Sequence, residues 1–158
     1  IINYVCNKYI YCILFLFFMI LGVYGFYLDS KNSFVPNDEY PVEAVKYIKN
    51  NLDYRNIKIF NDYNYGSYLL FNDIPVFIDS RSDLYMKQFN SNLKYDVFND
   101  YVNIIYNYED KFEYYGIEYV LEYKNSELSL ILYKDINYQV LYSDEYFVLF
   151  KKGDIYET

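Results

Sequence analysis

One stretch limits what this chain can become. Tyr9–Leu28, YIYCILFLFFMILGVYGFYL, runs for 20 residues without a charge. As a helix it spans roughly 30 Å, the thickness of a bilayer's hydrocarbon core. Its Leu, Ile, Phe and Val residues, about a dozen, together favour insertion by roughly 5 kcal/mol, with no buried charge in opposition. Tyr9, Tyr11, Tyr24 and Tyr27 lie near the ends, where an aromatic belt would sit. A cleaved signal peptide has a shorter apolar run and a small-residue cleavage site, and neither is seen. A buried helix of a soluble protein is the other reading. The expectation is a transmembrane helix over 1–30 and a lipid bilayer as its surroundings. Orientation rests on Lys8 before the run, against Asp29, Asp38 and Glu39 after it with only Lys31 among them. By the positive-inside rule the N-terminus is cytoplasmic and the rest lies outside.

Beyond the run, a linker is expected over 31–40, one soluble domain over 41–152 and a short tail over 153–158. The sequence opens without Met and inside the apolar region. It therefore reads as the last span and C-terminal domain of a longer chain, with that chain's other membrane helices as partners. Net charge is −8, which argues against nucleic acid as a partner. There is no His, the commonest general base and metal ligand. Cys6 and Cys12 belong to the apolar region, so the domain has no disulfide framework and no thiol nucleophile. The 25 Tyr accompany frequent Asn, Ile and Lys, a bias that AT-rich coding produces, so their number alone says little about binding.

In chain order, Pro41 suits the first turn of a helix, and Glu43 complements its dipole. Ala44, Val45, Ile48 and Leu52 follow helical spacing, and Asn50 and Asn51 stop it. Strands are expected at 57–60 and 75–78, with a short helix at 65–71 between them. Phe98, Tyr101, Val102 and Ile105 form one helical stripe. A helix over 109–115 is closed by Gly116, the usual capping residue. A strand at 117–123 follows, then a helix from an Asn125 cap through Lys134 with Leu128, Ile131 and Leu132 inward. A hairpin over 138–143 and 146–151 turns at Asp144 and Glu145. Alternating strands and helices predict an α/β fold: a small three-layer domain with a mixed, mostly parallel sheet and a C-terminal hairpin.

Polar groups gather within 61–85. The first cluster, Asn61, Asp62, Tyr63, Asn64, Tyr65 and Gly66, follows the first expected strand. The second, Asp79, Ser80, Arg81, Ser82, Asp83 and then Tyr85, follows the next. Ligands of open α/β sheets bind beyond the carboxyl ends of strands, so parallel neighbours would bring both clusters to one rim. Arg81 offers a planar donor fork for carboxylate or phosphate. Asp62, Asp79 and Asp83 suit a divalent cation or sugar hydroxyls, and Tyr63, Tyr65 and Tyr85 suit stacking on a sugar or peptide. Gly66 permits close backbone approach. The structural alternative is that Asp79 and Arg81 pair with each other while Asp62 and Asn64 make turns and caps. Three Asp without His is a nonspecific metal signal. No catalytic pair, cofactor motif or phosphate loop is evident, and no cofactor is expected.

Four stretches resemble a known family: Pro41 to Ala44, Ile59 to Leu69, Pro75 to Tyr85 and Tyr115 to Leu121. They are similar to the C-terminal soluble domain of bacterial polytopic membrane proteins, the GT-C class of lipid-phospho-sugar-dependent glycosyltransferases. The run from Asn61 to Gly66 distantly resembles the Trp-Trp-Asp-Tyr-Gly motif of the oligosaccharyltransferase catalytic subunit, sharing its aromatic-Gly ending. That motif helps hold an acceptor peptide. The resemblance implies an extracytoplasmic domain supporting recognition of a glycan or polypeptide acceptor, with catalytic carboxylates in earlier membrane loops outside this sequence. Two other functions compete with it. One is an anchored, noncatalytic module of the cell envelope that binds glycan or protein. The other is a self-contained envelope hydrolase.

Overall fold

The apolar run forms one long helix, α1 (Ile2–Ser30). Tyr9–Leu28 makes it long and apolar enough to cross a membrane, and every side chain over 9–28 is exposed. The structure, a computed structural model, describes residues 2–30 and 35–153. Positions 31–34 of the expected linker, 154–158 of the expected tail, and the side chains of Lys8, Asp29 and Lys31 lie outside the described residues. Two compact units divide the chain, Ile1–Pro36 and Asn37–Thr158.

The second unit is a four-stranded mixed sheet between helices, the α/β architecture expected. Its strands are β1 (Ile59–Asn61), β2 (Tyr119–Tyr123), β3 (Tyr138–Ser143) and β4 (Phe147–Lys152), ordered β1-β2-β4-β3. Helix α2 (Val42–Asn51) precedes β1, and α3 (Gly66–Phe71) follows it. Helices α4 (Val97–Val102) and α5 (Ile104–Tyr115) lead into β2, and α6 (Glu127–Leu132) separates β2 from β3.

Strand alternation builds the three layers. Ile59, Leu121, Phe147 and Leu149 face one side and pack with Ala44, Val45 and Ile48 of α2, with Tyr65, and with Leu69 of α3. Phe60, Val120, Val148 and Phe150 face the other and pack with Ile104 and Phe112 of α5 and Leu128 and Leu132 of α6. Each such side chain contributes about 1.5–3 kcal/mol on burial. Strand β4 serves both cores at once, since all four residues from Phe147 to Phe150 are buried.

Several expectations need correction. The sheet is mixed but not mostly parallel: β1–β2 is its one parallel pair among the described residues, and β4 pairs antiparallel with β2 and with β3. The reason lies at 75–78, which runs beside β1 without joining as a strand. Pro75 has no N–H, and the side chain of Asn61 takes the backbone groups that a ladder would use. The Phe98–Ile105 stripe is split into α4 and α5 at Asn103. Ser126, not Asn125, caps α6, because its hydroxyl accepts from the Ser129 N–H at 3.1 Å. Gly116 closes α5 as expected, in the left-handed conformation at φ 66°.

Candidate functional site

The polar clusters meet beyond the carboxyl end of β1, and Asn61 holds them together. This fully buried side chain donates from Nδ2 to the Ile78 carbonyl (2.8 Å) and the Asp62 carbonyl (2.8 Å). Its Oδ1 accepts from the Phe77 N–H at 2.8 Å. One amide thus satisfies three backbone groups, which is why 75–78 lies still without strand pairing. Farther along, the Tyr63 hydroxyl donates to the Ser80 carbonyl at 2.9 Å. The Ser67 and Ser80 hydroxyls share a hydrogen bond, also of 2.9 Å.

Gly66 makes this approach possible. Its φ is −56°, ordinary for any residue, so the requirement is space. A Cβ there would stand 2.1 Å from the Ile78 carbonyl oxygen and 2.8 Å from the Asp79 Cα. Tyr65, also fully buried, donates its hydroxyl to the Leu121 carbonyl at 2.6 Å and ties the turn to β2. Burial raises its pKa well above the usual tyrosine value.

Asp79 is fully buried and well supplied with donors. Its Oδ1 accepts from the Arg81 backbone N–H (2.9 Å) and Nε (3.0 Å). Its Oδ2 accepts from Arg81 Nη2 and from the Tyr85 hydroxyl at 3.0 Å. The Arg81 side chain beside it holds the carboxyl down at about 2. Hydrogen bonding to Asp79 raises the Arg81 guanidinium further, and burial with that same carboxylate pushes Tyr85 up to about 12. Arg81 itself remains 57% exposed, so the fork is fixed from beneath and open above.

On the opposite face of the sheet, a second carboxyl group sits without a cation. Asp62 continues β1 in extended conformation (φ −70°, ψ 147°). Its Oδ1 accepts from the Asn64 N–H at 2.8 Å, and its Oδ2 from the Tyr101 hydroxyl at 2.9 Å. In the parallel register Phe60 meets Val120 and Asn61 meets Leu121, so Asp62 comes beside Glu122. Glu122 is 5% exposed. Burial, with the Asp62 charge adding to it, pushes its carboxyl up to about 8.

Of the expected residues, Asn61, Asp62, Tyr63, Tyr65, Gly66, Asp79, Arg81 and Tyr85 are brought into one bonded region. Asp83 is not: it is exposed on the Ser82–Leu84 turn. The three aspartates do not converge as a cation site, since Asp62 and Asp79 turn to different donors. Among the described residues no group of three or more metal-type ligands forms. The sequence reading missed Glu122 and Tyr101. A carboxyl inside the apolar strand YVLEY was the available signal for Glu122, whereas nothing local marks Tyr101. Comparisons with protein-family models, with curated proteins and with solved structures find no match to this chain.

Proposed function

We propose that this chain is a membrane-anchored domain on the extracytoplasmic side of a glycosyltransferase-like membrane protein, where its rim supports recognition of a glycan or polypeptide acceptor. The catalytic carboxylates of that protein lie elsewhere in it. The observation that carries the reading is the close bonding of the rim. Asn61 and Gly66 lock two loops together, while the Arg81 guanidinium is held from below by Asp79 and left open to solvent. A preorganised fork of this kind suits a carboxylate, phosphate or sugar hydroxyl. The long apolar helix supports the anchoring.

The test is made in the full-length membrane protein that contains this chain. Arg81→Ala and Tyr63→Phe are assayed for sugar transfer from a lipid-linked donor and for binding of the acceptor. Weaker acceptor use with unchanged donor use agrees with the reading. Unchanged transfer with lost binding of an envelope glycan or protein points instead to a noncatalytic anchored module. Turnover by the chain alone would overturn both.

A further inference from the structure

We propose that Asp62 and Glu122 form a one-proton carboxyl pair, and that loss of its proton uncaps the 63–65 turn, making the rim a pH-sensitive latch. Geometry carries this first. The parallel register of β1 and β2 ends at Asn61 and Leu121, so Asp62, still extended, and Glu122 are the next residues along, on chains about 5 Å apart. Strand alternation puts both on the face of Phe60 and Val120. Two ionised carboxylates at that spacing repel, and Glu122 has almost no contact with water to screen them.

No cation among the described groups around Glu122 offsets a second charge. From the loop after β1 come Asp62 and Tyr65, from α4 Tyr101, and from its own strand Tyr123. The Ser126 hydroxyl and the Tyr123 N–H hydrogen-bond the Glu122 carboxyl and favour its charged form, by less than burial and Asp62 oppose it. Glu127, at the start of α6, is exposed and adds only negative charge. Lys124 is the nearest ammonium in sequence, and it donates to the Asp144 carbonyl at 2.7 Å. The facing strand supplies apolar Val148. Both Asp62 oxygens are taken up as acceptors, by the Asn64 N–H and the Tyr101 hydroxyl, which leaves Glu122 as the place for the proton.

The consequence passes to the loop through Asp62. Its two acceptor oxygens cap the Asn64 N–H and bind the Tyr101 hydroxyl, which itself accepts from the Tyr63 N–H at 3.2 Å. When Glu122 ionises, repulsion moves Asp62 away from these donors, and the turn at 63–65 loses its cap. The window follows from the shift. The Glu122 carboxyl is raised from its ordinary 4.5 to about 8, so stability present below 4.5 is lost progressively as pH rises towards 8. Above that the pair is doubly charged.

The experiment uses the whole chain in detergent micelles with ¹³C-labelled carboxyls, followed by NMR from about pH 5 to about pH 9.5. A Glu122 carboxyl midpoint near 8 is expected. Solvent exchange of the Asn64 amide is expected to rise several-fold more across that midpoint than base catalysis alone gives. Glu122→Gln should abolish the extra rise, and Asp62→Asn should lower the Glu122 midpoint. A midpoint in the ordinary carboxylate range overturns the proposal, as does Asn64 exchange that follows base catalysis alone. Should Glu122→Gln fail to fold, the wild-type titration and Asp62→Asn decide the matter.

Discussion

Two buried carboxyls of this domain behave in opposite ways. Asp79 lies under the 79–85 loop and Glu122 lies on the sheet's opposite face, and neither has much contact with water. Asp79 meets a guanidinium, a backbone N–H and a phenol, and its pKa falls to about 2. Glu122 has no such cation among the described residues: burial, with the Asp62 carboxylate adding to it, raises its pKa to about 8. Burial alone therefore does not set the charge of a buried acid. At Asp79 the donors reverse the desolvation effect, and at Glu122 desolvation prevails.

The sharpest break in this comparison is a pH series. Glu122→Gln removes a group whose proton is held more tightly in the folded state than in the unfolded one. Wild-type stability should fall relative to the variant from about pH 5 to about pH 8, by on the order of 4 kcal/mol. Urea unfolding at several pH values measures it, and parallel curves would refute the assignment. Next comes Gly66→Ala, which drives a methyl into the Ile78 carbonyl and should cost about 3 kcal/mol by thermal unfolding. It disturbs the Asp79 side and should leave the Glu122 titration in place.

Asp79→Ala should cost about 2 kcal/mol at neutral pH. The loss stays moderate because Arg81 is 57% exposed and can rehydrate. The Asp79 contribution is present above the ordinary 3.8 and fades as pH falls through about 2. Asp79→Asn should flatten that acid limb while keeping the shape. Arg81→Ala should cost no less at neutral pH, because it leaves the buried Asp79 carboxylate without its cation. It takes away the chief cause of the depressed Asp79 pKa, so the acid limb of unfolding should flatten.

How much of this was legible differs by scale. Periodicity and composition gave the apolar helix, the amphipathic face of Ala44, Val45 and Ile48, the C-terminal hairpin and the Gly116 stop. Those signals are local, so a sequence carries them openly. The Asp79–Arg81 pairing was also readable, because one intervening residue in extended chain puts both side chains on one side. The role of Asn61 was not. An asparagine at a strand end reads as a turn residue, and only the packed fold shows it replacing a ladder for Phe77 and Ile78. Glu122 stayed hidden for a similar reason, since its environment depends on the register of a strand distant in sequence.

Strand β4 carries a consequence for how the domain is made. It is the last of the four described strands in chain order, yet it lies between β2 and β3 and fills both cores. While a ribosome is still adding Phe147 to Phe150, the sheet is split, with β1–β2 on one side and β3 on the other. Folding of the sheet must then wait until β4 has been made, and such nonlocal pairing is slow. A stop codon just before β4 would leave two open strand edges and two unfilled cores, exposed to degradation rather than merely shortened.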